Sequence, residues 1–226
     1  MVKQELYEKS PIRLFDGATD GGLKSGEIGI VTSKKGLGKT SVLVQFGMDI
    51  LLKDEQLVHV TFDLHSSNVI SWYDGIFTEL SKKKNIGNAA ELKESVMRKR
   101  TILNFSLDNF SVAKVVNTLE ALKSAGINVK GVIMDGIDFS KVSEDDVKSL
   151  AEYAVKDEVC VWTSATIEGN KLADSVPVNL EKYFAAVIHL NQKNEGVALD
   201  ALKIRDNKNV ETRLKLDTKT LLITQA

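Results

Sequence analysis

Short apolar runs alternate along this chain with longer segments in which apolar residues return every three or four positions. The first run is Ile28-Gly29-Ile30-Val31, which predicts a strand over about 28–32. Residues 41–52 follow with Val42, Val44, Phe46, Met48 and Ile50 among small residues, the pattern of a helix buried on most of its surface. A second strand is expected at 58–63, a charged helical stretch over 69–100, and a short strand at 101–105. Residues 111–125 carry Val112, Val115, Val116, Leu119 and Leu122 on one helical stripe, which Gly126 ends. Gly131-Val132-Ile133-Met134 is wholly apolar and is closed by Asp135. A helix over about 143–155 and a buried strand at 159–164 come next. Strands are then expected at 185–190, 197–205 and 211–216, with Asp206-Asn207-Lys208-Asn209 turning the last two. Residues 1–10 are polar and are expected to fray, while Asp16-Gly17, Gly21-Gly22 and Ser25-Gly26 mark turns before the first strand.

Strands that alternate with helices, several of them apolar on both faces, imply an α/β fold. Its sheet is mostly parallel, with helices on both faces and an antiparallel C-terminal meander at the edge. The 226 residues suffice for one domain with a well-buried sheet, and two prolines and no low-complexity tract predict a single unit over 1–226. Charge is balanced, 30 basic against 31 acidic residues, so a whole-protein basic footprint for nucleic acid is lacking and such a partner is not favoured. The lone Cys160 excludes an internal disulfide and a cysteine-rich zinc site. With no leader pattern and no apolar run of membrane-spanning length, a soluble cytoplasmic protein is expected.

The chemistry concentrates in Ser33, Lys34, Lys35, Gly36, Leu37, Gly38, Lys39, Thr40 and Ser41. Strand, tight glycine loop and helix N-terminus in that order are the setting in which Gly-Lys-Thr holds a nucleotide phosphate. Backbone N–H groups and the helix dipole converge on one spot. Lys39 would reach the β- and γ-phosphates of ATP, and the Thr40 hydroxyl would take a place on Mg2+. The alternative is a lysine-rich surface turn. The usual spacing wants glycine at 33, where this chain has serine, so an altered first turn is expected. Asp135, at the tip of a buried strand, is the carboxylate that would steady nucleotide-bound Mg2+ through its waters; its plainer reading is a turn-initiating residue before Gly136. Lys82, Lys83, Lys84, Lys93, Arg98, Lys99 and Arg100 form a basic group. Glu79, Glu91 and Glu94 are interleaved with them and no aromatics are available to stack bases, which favours a solvated helix face. Trp72, Tyr73 and Phe77 read as core or subunit-contact residues.

These blocks, in order, resemble the RecA-type ATPases, and most of all the KaiC-like branch and the motor domain of DnaB-type helicases. Asp20-Gly21-Gly22-Leu23-Lys24-Ser25-Gly26-Glu27, the phosphate loop, Val60-Thr61-Phe62-Asp63, Val132 to Asp135 and Val161-Trp162-Thr163-Ser164 carry the resemblance. It implies a homo-oligomer, a ring or filament with hexamers among the arrangements, that holds ATP and Mg2+ at subunit interfaces. Lys203-Ile204-Arg205 is similar to the family's Lys-x-Arg pair, which reaches the γ-phosphate of a neighbouring subunit. Thr163 and Ser164 fall where a polar residue senses that phosphate. Asp63 falls where the family orients the attacking water, but KaiC-like proteins have a Glu-Glu pair there, and the DnaB-type alignment puts His65 at that position. One methylene less at Asp63 implies a slow hydrolase, since sub-ångström misplacement costs about a hundredfold in rate. Lys34 also resembles the signature lysine of ParA/MinD-type loops, though Lys35 stands where that pattern has glycine. A non-hydrolysing ATP-binding scaffold, with a protein partner the sequence does not identify, and a DNA-acting motor are the competing readings.

Overall fold

Every residue of β1 (Ile28–Ser33) is buried, as befits a strand covered on both faces. The structure is a computed structural model that describes residues 2–62, 66–82, 89–105, 111–194 and 196–226. Two helices, α1 (Val2–Glu8) and α2 (Ile12–Ala18), precede β1, and α3 (Lys39–Leu52) follows it. Next come β2 (Gln56–Thr61), α4 (Ser66–Lys82), α5 (Ala89–Met97), β3 (Arg100–Asn104), α6 (Val112–Ser124) and β4 (Val129–Asp135). The chain continues through α7 (Glu144–Asp157), β5 (Cys160–Thr166), α8 (Leu172–Ser175), β6 (Phe184–Lys193) and β7 (Gly196–Ile204). It closes with β8 (Asn207–Val210), β9 (Leu214–Leu216) and β10 (Ile223–Gln225).

The strands form one sheet in the order β10-β9-β7-β6-β1-β5-β4-β2-β3, with β8 beside β7. From β3 to β6 every pairing is parallel; β7, β8, β9 and β10 pair antiparallel. One apolar cluster lies between the sheet and α1 to α5, and a second lies between the sheet and α6 and α7. In α3 all residues from Ser41 to Leu52 are buried, so truncating one of its large side chains, such as Leu51, should cost about 2–5 kcal/mol. Gly29 is required by packing: a Cβ there would sit 2.5 Å from the Trp162 ring, which stacks on Phe46 with centroids 4.1 Å apart. Among the described residues no helix is long and apolar enough to cross a membrane.

Two local expectations change. Residues 2–8 form a helix rather than a frayed end, because Leu6 is buried against the core and Lys3 reaches Asp54 at 2.6 Å. Near the C-terminus the turn is tighter than Asp206-Asn207-Lys208-Asn209. The chain reverses at Arg205 and Asp206, and residues 207–210 pair back onto β7, with Ile204 opposite Asn207. The helical stretch at 69–100 becomes α4 and α5.

Candidate functional site

At the C-terminal end of β1 the chain enters a loop whose Gly36 and Gly38 have φ of +85° and +98°, values that L side chains rarely adopt. Gly38 is the N-cap of α3 and brings no side chain to it, so the first-turn N–H groups face outward unsatisfied by a cap. A Cβ on Gly38 would also lie 2.9 Å from Leu216. Ser33 is not among the residues with positive φ, so its Cβ needs no strained backbone. Its side chain is fully buried.

The Lys39 ammonium lies 3.2 Å from Ser33 Oγ, 3.4 Å from Ser33 O and 3.3 Å from Lys34 O. Partial burial lowers its pKa, and the nearby Asp135 charge opposes that shift. Thr40 Oγ1 donates to one oxygen of Asp135 and Ser164 Oγ to the other, both at 2.6 Å. Strand order explains this convergence. β5 lies between β1 and β4, which sets Ser164 beside Val31 of β1 and next to the strand that ends in Asp135. On the far side of β4, Asp135 is level with Thr61 of β2.

These groups open onto a cavity of about 620 Å3. Residues 35–40 form its floor, Thr61, Asn68, Val69 and Trp72 one wall, and Gln192, Gly196, Val197, Leu216, Asp217, Thr218 and Leu221 the other. That second wall is fixed to α3. Ser41 Oγ and Gln45 Nε2 donate to Leu221 O at 2.9 and 3.0 Å, and Ile223 N–H donates to Gln45 Oε1 at 2.8 Å.

Of the loop residues singled out in the sequence, Lys35 to Thr40 line the cavity, Ser41 turns its hydroxyl to Leu221, and Lys34 is exposed, 3.9 Å from Glu168. Asp63 and His65 lie outside the described residues. Lys203 and Arg205 do not join the chain's own cavity. Lys203 is level with Val187, towards the start of β6, whereas the β6–β7 hairpin, near the loop, joins Lys193 to Gly196. Lys203 Nζ donates to Glu181 O and Phe184 O at 2.7 and 2.8 Å. The Arg205 guanidinium grips both oxygens of Glu27, at 2.9 and 3.1 Å, and Gly22 O at 2.8 Å. In the basic group, Lys82 pairs with Glu79, Lys93 with Asp74 and Arg98 with Glu94, while Lys83 and Lys84 lie outside the described residues. Trp72 in the cavity wall is not expected from the sequence, where it reads with Tyr73 and Phe77 as a core or subunit-contact residue. Nor does any local signal point to the C-terminal wall.

The donor set suits Mg2+. Thr40 and Asp135 offer hard oxygen atoms within one hydrogen bond of each other, while no group of three or more His, Cys, Asp or Glu among the described residues could hold a metal by itself. An ion that arrives with a nucleotide and keeps several waters fits such a site.

No family model matches the sequence, and no curated protein matches it. Among solved structures, the ATPase domain of a DnaB-type helicase matches with a TM-score of 0.70 over 96% of this chain and 90% of that one, at 13% sequence identity. The fold is that of the RecA-like ATPases. At this identity the likeness speaks for the fold alone.

Proposed function

We propose that this chain binds ATP with Mg2+ on the phosphate loop and hydrolyses it slowly as a homo-oligomer of the KaiC-like kind. The observation that carries the reading is the meeting of Thr40 and Asp135 at 2.6 Å in front of the open α3 N-terminus, with Lys39 beside them. Mg2+, when bound, neutralises charge on the β- and γ-phosphates, and Thr40 and Asp135 would hold it. The rest falls to the chain's own residues. Backbone N–H groups of 36–40 and the first turn of α3 receive the phosphates. Lys39, in a half-dry setting, counters their charge more strongly than an exposed lysine would. Ser164 holds the Asp135 carboxylate from behind, so that its other oxygen faces Thr40.

Asp135 and Asp217 are the cavity's carboxylates among the described residues. Asp135 is bonded to Thr40 and Ser164, and Asp217 Oδ1 accepts from Lys219 and Thr220 within its own turn. By the resemblance to RecA-type ATPases, we assign the orienting of the attacking water to Asp63, which lies outside the described residues. In an assembly, Lys203 and Arg205 would serve a neighbour's γ-phosphate, and Arg205 would exchange Glu27 for that phosphate. Among the described members of the basic group, Lys82, Lys93 and Arg98 each pair with a neighbouring carboxylate, which favours a solvated helix face over a DNA-acting motor.

Titration with ATP and Mg2+, followed by the fluorescence of Trp72 in the cavity wall, tests the reading. Saturable binding is expected, weakened about 10- to 100-fold by Lys39→Ala through the loss of a charge-assisted phosphate contact. No saturable signal at millimolar ATP, or equal affinity in the variant, would refute it.

A further inference from the structure

We propose that Ser33 is a positioning residue, whose hydroxyl aims the Lys39 ammonium at the nucleotide. The proposal rests on the nucleotide reading of the site. Ser33 occupies the position where the loop motif has glycine, and a substitution there looks like damage. The geometry points the other way. Backbone strain gives no reason for glycine at 33, since positive φ occurs at Gly36 and Gly38 and not at Ser33. The hydroxyl is fully buried and already donates to Lys34 O at 2.7 Å. Its only proton is thereby spent, and it presents a lone pair to Lys39 Nζ.

At 3.2 Å this is the shortest of the three ammonium contacts; the carbonyls of Ser33 and Lys34 lie at 3.4 and 3.3 Å. An ammonium has three protons and no other way to fix its direction than its acceptors, because four rotatable bonds lie behind it. When phosphate oxygens arrive they take the outward protons. The buried hydroxyl, which is not among the residues lining the cavity, remains an acceptor for the ammonium beside the two carbonyls. Glycine at 33 would leave only the two longer carbonyl contacts. Asp135 is the charged group facing Lys39 from β4, and its two oxygens are bonded to Thr40 and Ser164. That leaves Ser33 as the side chain that holds Lys39 from the loop itself.

A double-mutant cycle tests this. Binding of ATP with Mg2+ would be measured for the parent, Ser33→Ala, Ser33→Gly, Lys39→Ala and the Ser33→Ala/Lys39→Ala double variant, with unfolding midpoints recorded alongside. Ser33→Ala and Ser33→Gly should each bind ATP about three- to tenfold more weakly, the range expected for the net worth of one intramolecular hydrogen bond. In the Lys39→Ala background Ser33→Ala should change affinity less than about twofold, because the hydroxyl then has no ammonium to aim. A purely structural serine would weaken binding equally in both backgrounds, and that result overturns the proposal. So does affinity within about twofold of the parent in either Ser33 variant, or tighter binding by Ser33→Gly. Failure of the parent to bind ATP would instead overturn the nucleotide reading itself.

Discussion

Acidification is expected to loosen this fold through His59, whose ring lies fully buried beneath α4 with Nδ1 3.1 Å from the Tyr73 hydroxyl and Nε2 without a partner among the described residues. Burial pushes its pKa from 6.5 down to about 4; the Asp135 carboxylate opposes the shift and the Arg100 guanidinium adds to it. The folded chain therefore keeps a neutral ring at pH values where the unfolded chain takes up a proton. Stability from this residue is complete above pH 6.5, falls as the pH drops through 6.5, and stops falling below about 4. With about 1.36 kcal/mol for each pH unit between the two values, the loss reaches ~2 kcal/mol by pH 5 and ~3 kcal/mol by pH 4. That is a sizeable share of the ~5–15 kcal/mol that holds a typical domain together. Burial lowers the pKa of His189 too and raises those of Asp16 and Asp49, so the parent's pH dependence is a sum over several groups. The difference between parent and His59→Gln isolates the first. Urea unfolding at pH 7.5 and pH 5.0 should show the parent losing about 2 kcal/mol more than the variant. An equal loss in both, or an NMR titration in which the His59 ring takes up its proton near 6.5, would refute the reasoning.

Two further outcomes bear on turnover and assembly. Asp63→Asn should reduce phosphate release from ATP by about 10²-fold or more while leaving ATP affinity within about twofold of the parent, the signature of a general base that does not hold the ground state; a parent with no turnover to lose would favour the non-hydrolysing scaffold. Arg205→Ala and Lys39→Ala should each lack ATP-dependent assembly in size-exclusion runs and regain it when mixed, because each supplies the half-site the other lacks. If mixing restores nothing and Arg205→Ala merely lowers the unfolding midpoint, the Arg205–Glu27 pair is a cis clamp.

The strand–loop–helix unit of β1 and α3 is legible in the sequence because its apolar run, glycines and buried helical pattern are all local. Asp135 is legible for the same reason, as an acid closing an apolar run. Helix α1 is not, since its seven residues are too few to set a period and Leu6 alone is buried, and the helix is fixed by contacts with α3 and by the Lys3–Asp54 pair. The polar residues of β8 carry turn chemistry, and only pairing with β7 makes them a strand. The joining of Thr40, Asp135 and Ser164 depends on β5 lying between β1 and β4, an order in space that no order along the chain states. Glu27 reads as part of a turn motif, and its grip on Arg205, 178 positions away, leaves no mark in either segment.

Gln45 ties the two halves of the cavity to one element. Buried in the middle of α3, it donates to Leu221 O and accepts from Ile223 N–H, the two bonds that a neighbouring strand would otherwise make to that segment. A helix side chain thus acts as a rung of the sheet. The same helix whose first turn faces the phosphates therefore sets, a turn further on, how far away the opposite wall stands. Width and depth of the cavity are gauged from one rigid rod, so the site carries its own caliper.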